Sequence, residues 1–153
     1  MAFKKDFLWG TSISAAQAEG GWDEGGKTPV HVDYANAGTA SSNGRRLIYR
    51  AADGSRGELP GAYAMFPHLP QGGQHTSFED VYYPNRKASD FYHHYKEDIA
   101  LMAEMGFSTF NTTISWARIF PRGIEGGINP EGVAFYRDVF TEIRNNGIDP
   151  VIT

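Results

Sequence analysis

Three short segments of the chain carry side chains suited to handling a ligand. Gln17 and Glu19 stand in SAAQAEG (residues 14–20), Trp22 in GGWDEGGK (20–27) and Asn111 in TFNTTISWARIFPRG (109–123). A glutamine amide offers both a donor and an acceptor, and taken alone it reads first as satisfying the backbone of a loop. A tryptophan among glycines either stacks on a substrate or packs its own loop. Glu19 lies at the base of such a loop, where a carboxylate more often pins backbone N–H groups than moves protons.

Other chemistries find few residues. There is no cysteine, so thiolate metal sites and disulfides are excluded. His93 and His94 are neighbours on a predicted helix and point about 100° apart, while His31, His68 and His75 lack ligand spacing; no metal and no cofactor are expected. The glycine-rich segment around Trp22 lacks the strand-to-helix setting of a phosphate loop. Glu97, Asp98 and Glu104 fall on the polar face of a helix and read as solvated charge. A net charge of −4 without a basic stripe favours neither nucleic acid nor an anionic membrane. No apolar run has the length of a signal peptide core or a membrane span, and the expected location is the cytoplasm.

The elements that must position these residues are legible in part. Residues 7–12 start apolar and end small or β-branched, which predicts a first strand. Between about 20 and 86, Gly, Pro, Ser and Asn break every period. So long a stretch is either disordered or a functional loop. Its aromatics, among them Tyr34, Tyr49, Tyr63, Phe66, Phe78 and Tyr83, favour a loop that partly packs. Residues 85–106 then predict a helix with Phe91, Tyr95, Ile99 and Met102 or Ala103 on one stripe, Ser89 as cap and Gly106 as stop. Residues 109–116 predict a second strand and 118–127 a turn-rich segment. Asn129 and Pro130 open a second helix with Val133, Tyr136, Phe140 and Ile143 on one face, closed by Asn145, Asn146 and Gly147. A third strand starts at Pro150. Strands alternating with helices predict an α/β chain with parallel pairing.

FLWGTSISAAQAEGG (7–21) and FYHHYKEDIALMAEMGFSTFNTTISWARIFPR (91–122) resemble, in order and spacing, the opening of the glycoside hydrolase family 1 enzymes. The resemblance implies an incomplete (β/α)8 TIM barrel over residues 1–153, with a long irregular loop at about 20–86. Because a closed barrel needs roughly 200 residues or more, it represents about the first three of eight units. The wording of DFYHHYKEDIALMAEMGF and EGGWDEGGK is most similar to that of the bacterial 6-phospho-β-glucosidases. The implied function is therefore the N-terminal part of a retaining β-glycosidase acting on a small sugar, a β-glucoside or its 6-phosphate.

Within that resemblance, Gln17 takes the place of a glutamine that hydrogen-bonds two sugar hydroxyls. The long loop leaves the C-terminal end of a barrel strand, where such folds place their chemistry, which makes Trp22 a candidate for stacking on the sugar or framing its pocket, with packing of its own loop as the alternative. Retaining hydrolysis uses two carboxyl groups about 5 Å apart. The family's two glutamates stand in Asn-Glu and Glu-Asn-Gly sequences, and neither dipeptide occurs in these residues; no catalytic residue is assigned here, and both are expected beyond Thr153. Position 111 departs from the pattern. The family typically shows an arginine there, which holds the nucleophilic glutamate ionised, and Asn111 brings no charge. Arg45, Arg46, Arg50 and Arg56 are alternative sources of a cation. Two further readings stay open: a non-hydrolytic sugar-binding or regulatory barrel, and an inert truncated product.

Overall fold

A computed structural model describes residues 3–39, 44–60 and 68–153. Along the chain lie β1 (Gly10–Ser12), the one-turn helix α1 (Ala15–Ala18), β2 (Arg46–Arg50), β3 (Arg56–Pro60), β4 (Gln74–His75) and α2 (Phe91–Glu104). They are followed by β5 (Thr109–Thr112), the one-turn helix α3 (Trp116–Ile119), α4 (Pro130–Asn145) and β6 (Asp149–Ile152). Two units result: Met1–Thr28 together with Ser89–Thr153, and Pro29–Ala88.

In the first unit the strands form a parallel sheet in the order β1-β5-β6, with Thr11 opposite Phe110 and Phe110 opposite Pro150. This is the α/β arrangement expected from the alternation of elements. The stripe of α2 and the apolar face of α4 meet over the sheet: Phe91, Ile99, Phe110, Val139, Ile143 and Ile148 are buried together. Burying each such side chain is worth about 1.5–3 kcal/mol, so this cluster is the main reason both helices form. Asn129 caps α4 as expected, accepting from the Glu131 N–H, with Pro130 in the first turn. α2 stops at Gly106, whose φ of 82° lets the Phe107 N–H reach the Met102 carbonyl and its own N–H the Ala103 carbonyl. α4 ends the same way through Gly147 and Ile148.

Two local expectations are corrected. Ser89 does not cap α2; Asp90 occupies that position, and the Ser89 hydroxyl donates to the Ala18 carbonyl instead. The second strand stops at Thr112 rather than running to Trp116, because Ser115 begins α3 and its N–H is taken by the Tyr136 hydroxyl at 2.7 Å.

In the second unit, the stretch that reads as irregular holds a small antiparallel sheet in the order β3-β2-β4. Its hairpin turns at residues 51–55, where the Asp53 carboxylate accepts from both the N–H and the hydroxyl of Ser55. Leu47, Ile48 and Tyr49 are buried on β2 with Val32 and Ala35 nearby in sequence, and the Arg86 guanidinium lies 3.9 Å over the Tyr83 ring. Strands this short escape the sequence because a run of five residues such as RLIYR alternates too briefly to register. Tyr63 and Phe66 lie outside the described residues.

Candidate functional site

The parallel strands end at Ser12, Thr112 and Ile152, and the connections leaving those ends carry two of the candidate residues. Asn111, the third, is the last residue but one of β5. It alternates with the buried Phe110 and Thr112, and so belongs to the sheet face away from the helices. Its side-chain oxygen accepts from the Ser12 hydroxyl at 3.4 Å. The Ala15 N–H donates to the Thr113 hydroxyl at 2.8 Å, which fastens α1 to the chain leaving β5. Gln17 rides on that helix. It is exposed, and its amide has no hydrogen-bond partner among the described residues.

Trp22 is half-buried in the loop of residues 20–28. What fixes this loop is Arg118, a residue that no motif or periodicity singles out. The side chain is wholly buried. Its Nε donates to Oε2 of Glu19 at 3.1 Å, Nη1 to the Glu24 carbonyl at 3.1 Å, and Nη2 to the carbonyls of Gly20 and Gly21 at 3.4 and 3.2 Å. The guanidinium also lies 4.2 Å over the Tyr92 ring. Only a planar fork of donors satisfies so many oxygens at once.

Glu19 neutralises that cation and accepts from the Tyr136 hydroxyl. Burial raises its carboxyl, while the Tyr136 hydrogen bond and the charge of Arg118 favour its anion. Burial, then the neighbouring Glu19 charge, pushes the Tyr136 hydroxyl up, so it remains a donor. Glu19 therefore serves the scaffold, but through side chains rather than through backbone amides. The signal for Arg118 was its place between Trp116 and Phe120, where an arginine in an aromatic run needs an acid partner. Nothing local indicates that Glu19, 99 residues away, is that partner.

Residues 21–28 spell the G-x-x-x-x-G-K-T pattern of phosphate loops. No helix of the phosphate-loop kind follows, however, and the Lys27 ammonium donates to the Trp22 and Thr28 carbonyls. A groove of about 990 Å³ lies elsewhere, lined by Ile114, Trp116, Phe120, Val133, Phe140 and Ile152. Trp116 is 60% and Ile114 38% exposed there. Of the alternative cations, Arg46 pairs with Glu58 at 2.9 Å and Arg56 with Asp80 at 2.6 Å, while Arg50 donates to the Gly54 carbonyl and Arg45 to that of Asn36. Among the described residues, no helix is long and apolar enough to cross a membrane.

Residues 1–153 match the family model of glycosyl hydrolase family 1. The aryl-phospho-β-D-glucosidase BglA of Bacillus subtilis is 45% identical over 149 residues, which are 97% of this chain and 26% of that protein. The 6-phospho-β-glucosidase AscB of Escherichia coli is 40% identical over 151 residues, 99% of this chain and 27% of that one. Among solved structures, a β-glucosidase from Exiguobacterium marinum matches with a TM-score of 0.63 at 31% identity, covering 99% of this chain and 26% of that chain. The chain thus spans about a quarter of the length of the curated relatives it matches. Its parallel strands and intervening helices are part of the barrel those enzymes share, and the chain belongs to glycosyl hydrolase family 1.

Proposed function

We propose that this chain is the N-terminal part of a cytoplasmic retaining β-glycosidase that hydrolyses 6-phosphorylated β-glucosides, with residues 1–153 as an incomplete barrel domain. Gln17 binds sugar hydroxyls, Trp22 frames or stacks against the sugar, and Asn111 stands beside the nucleophile. The two catalytic glutamates belong to sequence beyond Thr153. The observation that carries this reading is Gln17. A donor–acceptor amide, exposed and without a hydrogen-bond partner among the described residues, sits on a short helix fastened at the ends of two parallel strands, and that end of a barrel is where the chemistry of such folds is placed. The names of the similar proteins supply the phosphorylated sugar.

The test starts with the intact mass of the purified protein, followed by assay of phosphorylated and unphosphorylated aryl β-glucosides with the full chain. Turnover of the phosphorylated substrate, with Gln17→Ala lowering kcat/KM by about 10- to 100-fold, is the expected result. A protein of 16.9 kDa that neither binds nor cleaves either sugar is instead the inert product. Asn111 supports one rival: a barrel that binds the sugar without cleaving it. Tight binding with no turnover, both distal glutamates being present, would decide for that rival.

A further inference from the structure

His93, in the first turn of α2, reaches a carboxylate with each ring nitrogen. Nδ1 is 2.6 Å from Oδ1 of Asp90, and Nε2 is 3.0 Å from Oε2 of Glu24. An ionised carboxylate only accepts hydrogen bonds, and a neutral imidazole has a single N–H. Both contacts are therefore hydrogen bonds only while the ring holds two protons. Loss of one proton leaves a bare nitrogen facing an acceptor, and one contact must open.

The two partners differ in kind. Asp90 is three residues away at the start of the same helix, with φ of 60° and no side-chain bond to the helix amides. Glu24 is 69 residues away, in the turn that follows Trp22. Its N–H donates to the Gly21 carbonyl, and its own carbonyl accepts from the Lys27 N–H and from Arg118. We propose that the His93 imidazolium is a positioning residue for the loop carrying Trp22, clasping Glu24 to the head of α2 and releasing it on deprotonation. The proposal rests on the assignment of that loop to the sugar site.

The charged groups that touch the two ring nitrogens are both carboxylates. From α2 come Asp90 and, beside it, His94, whose Nε2 is 3.8 Å from Oδ2 of Asp90 and which also faces Glu97. From the loop comes Glu24, while Lys27 is turned to the carbonyls of Trp22 and Thr28. From α3 comes Arg118, spent on Glu19 and three loop carbonyls. The Tyr92 ring meets the imidazole edge to face at 5.0 Å. The hydrogen bond to Asp90 is the main cause that raises His93 above the ordinary imidazole value; desolvation opposes it, and the weaker hydrogen bond to Glu24 adds to the rise. A raised value places the sign: the clasp is complete below the ordinary imidazole pKa and is lost as pH rises through the folded one. The contact is largely exposed, with Glu24 51% and His93 46% accessible, and Arg118 holds the loop independently, so release changes affinity rather than folding.

The decisive measurement is an NMR titration of the His93 ring in the full chain, with and without Glu24→Gln. The expected result is titration above the ordinary value in the wild type and a downward shift in the variant. In parallel, KM for a phosphorylated aryl β-glucoside should rise about two- to fivefold, the range of an exposed ion pair, as pH passes the measured ring pKa. His93→Gln should show that higher KM at all pH values and lose the step. A ring pKa unmoved by Glu24→Gln overturns the proposal. So does a His93→Gln enzyme that keeps the wild-type pH profile of KM while Trp22→Ala raises KM. Failure of the site assignment would show separately, as a Trp22→Ala enzyme with unchanged KM; the ring titration needs no substrate.

Discussion

Arg118 is the residue on which the site's loop depends most, because one buried guanidinium supplies hydrogen bonds to Glu19 and to three loop carbonyls. Arg118→Met removes the cation while leaving the Glu19 carboxylate inside, and the expected loss is about 3–5 kcal/mol in urea unfolding of the full chain. Adding Glu19→Gln should make the double variant more stable than the sum of the single losses, since the stranded charge is gone; strict additivity would mean that the pair is not coupled. Asn111 makes the opposite experiment possible. Asn111→Arg supplies the family's typical cation beside the proposed nucleophile and should raise kcat about tenfold, the equivalent of one pKa unit on the partner carboxylate. A kcat that falls would place the cation of this protein on another residue.

At the scale of elements, α4 carries more than its own stripe. Its cap, Asn129, accepts from the Glu131 N–H and also donates to the carbonyls of Gly25 at 2.7 Å and Arg118 at 2.9 Å. It thereby joins the helix start to α3 and to the loop of Trp22. Asn129→Ala should lower stability by about 1–2 kcal/mol, read from the denaturation midpoint. Gly132, inside the first turns, has a different task. A Cβ there would stand 2.3 Å from the Arg118 carbonyl oxygen, so α4 packs against backbone where only hydrogen fits. Alanine gains about 1 kcal/mol in helix propensity, but overpacking costs about 1–3 kcal/mol. Gly132→Ala is therefore expected to lower Tm, and a raised Tm would show that the two segments separate without penalty.

At the scale of the whole molecule, the parallel sheet is covered by helices on one face only among the described residues. On the other face Val151, opposite Asn111, is 46% exposed, and at the β6 edge Ile152, 39% exposed, lines the apolar groove under α4. Parallel strands are ordinarily buried on both faces, and an open edge invites pairing. The 153-residue chain on its own should therefore bind a hydrophobic dye and self-associate in light scattering. A sharp, cooperative melt of a 16.9 kDa monomer would sink that expectation.

The sequence by itself determined whatever is written within a few residues of a position. Phe91, Tyr95 and Ile99 recur at helical spacing, Asn129 and Pro130 open a helix, Gly106 and Gly147 close two, and the alternation of these elements with strands specified parallel α/β pairing. Two dense segments were enough to indicate the family. Tertiary structure decided what depends on distant partners. The Arg118 bond to Glu19 spans 99 residues, the His93 contact with Glu24 spans 69, and Tyr136 reaches Glu19 across 117. No periodicity or cap encodes such pairs, because they exist only once β1 and β5 lie side by side and bring the loop after one strand against the short helix after the other. The same cause left the strands within residues 46–60 unread, since a five-residue strand is stabilised by its neighbours across the sheet rather than by its own pattern.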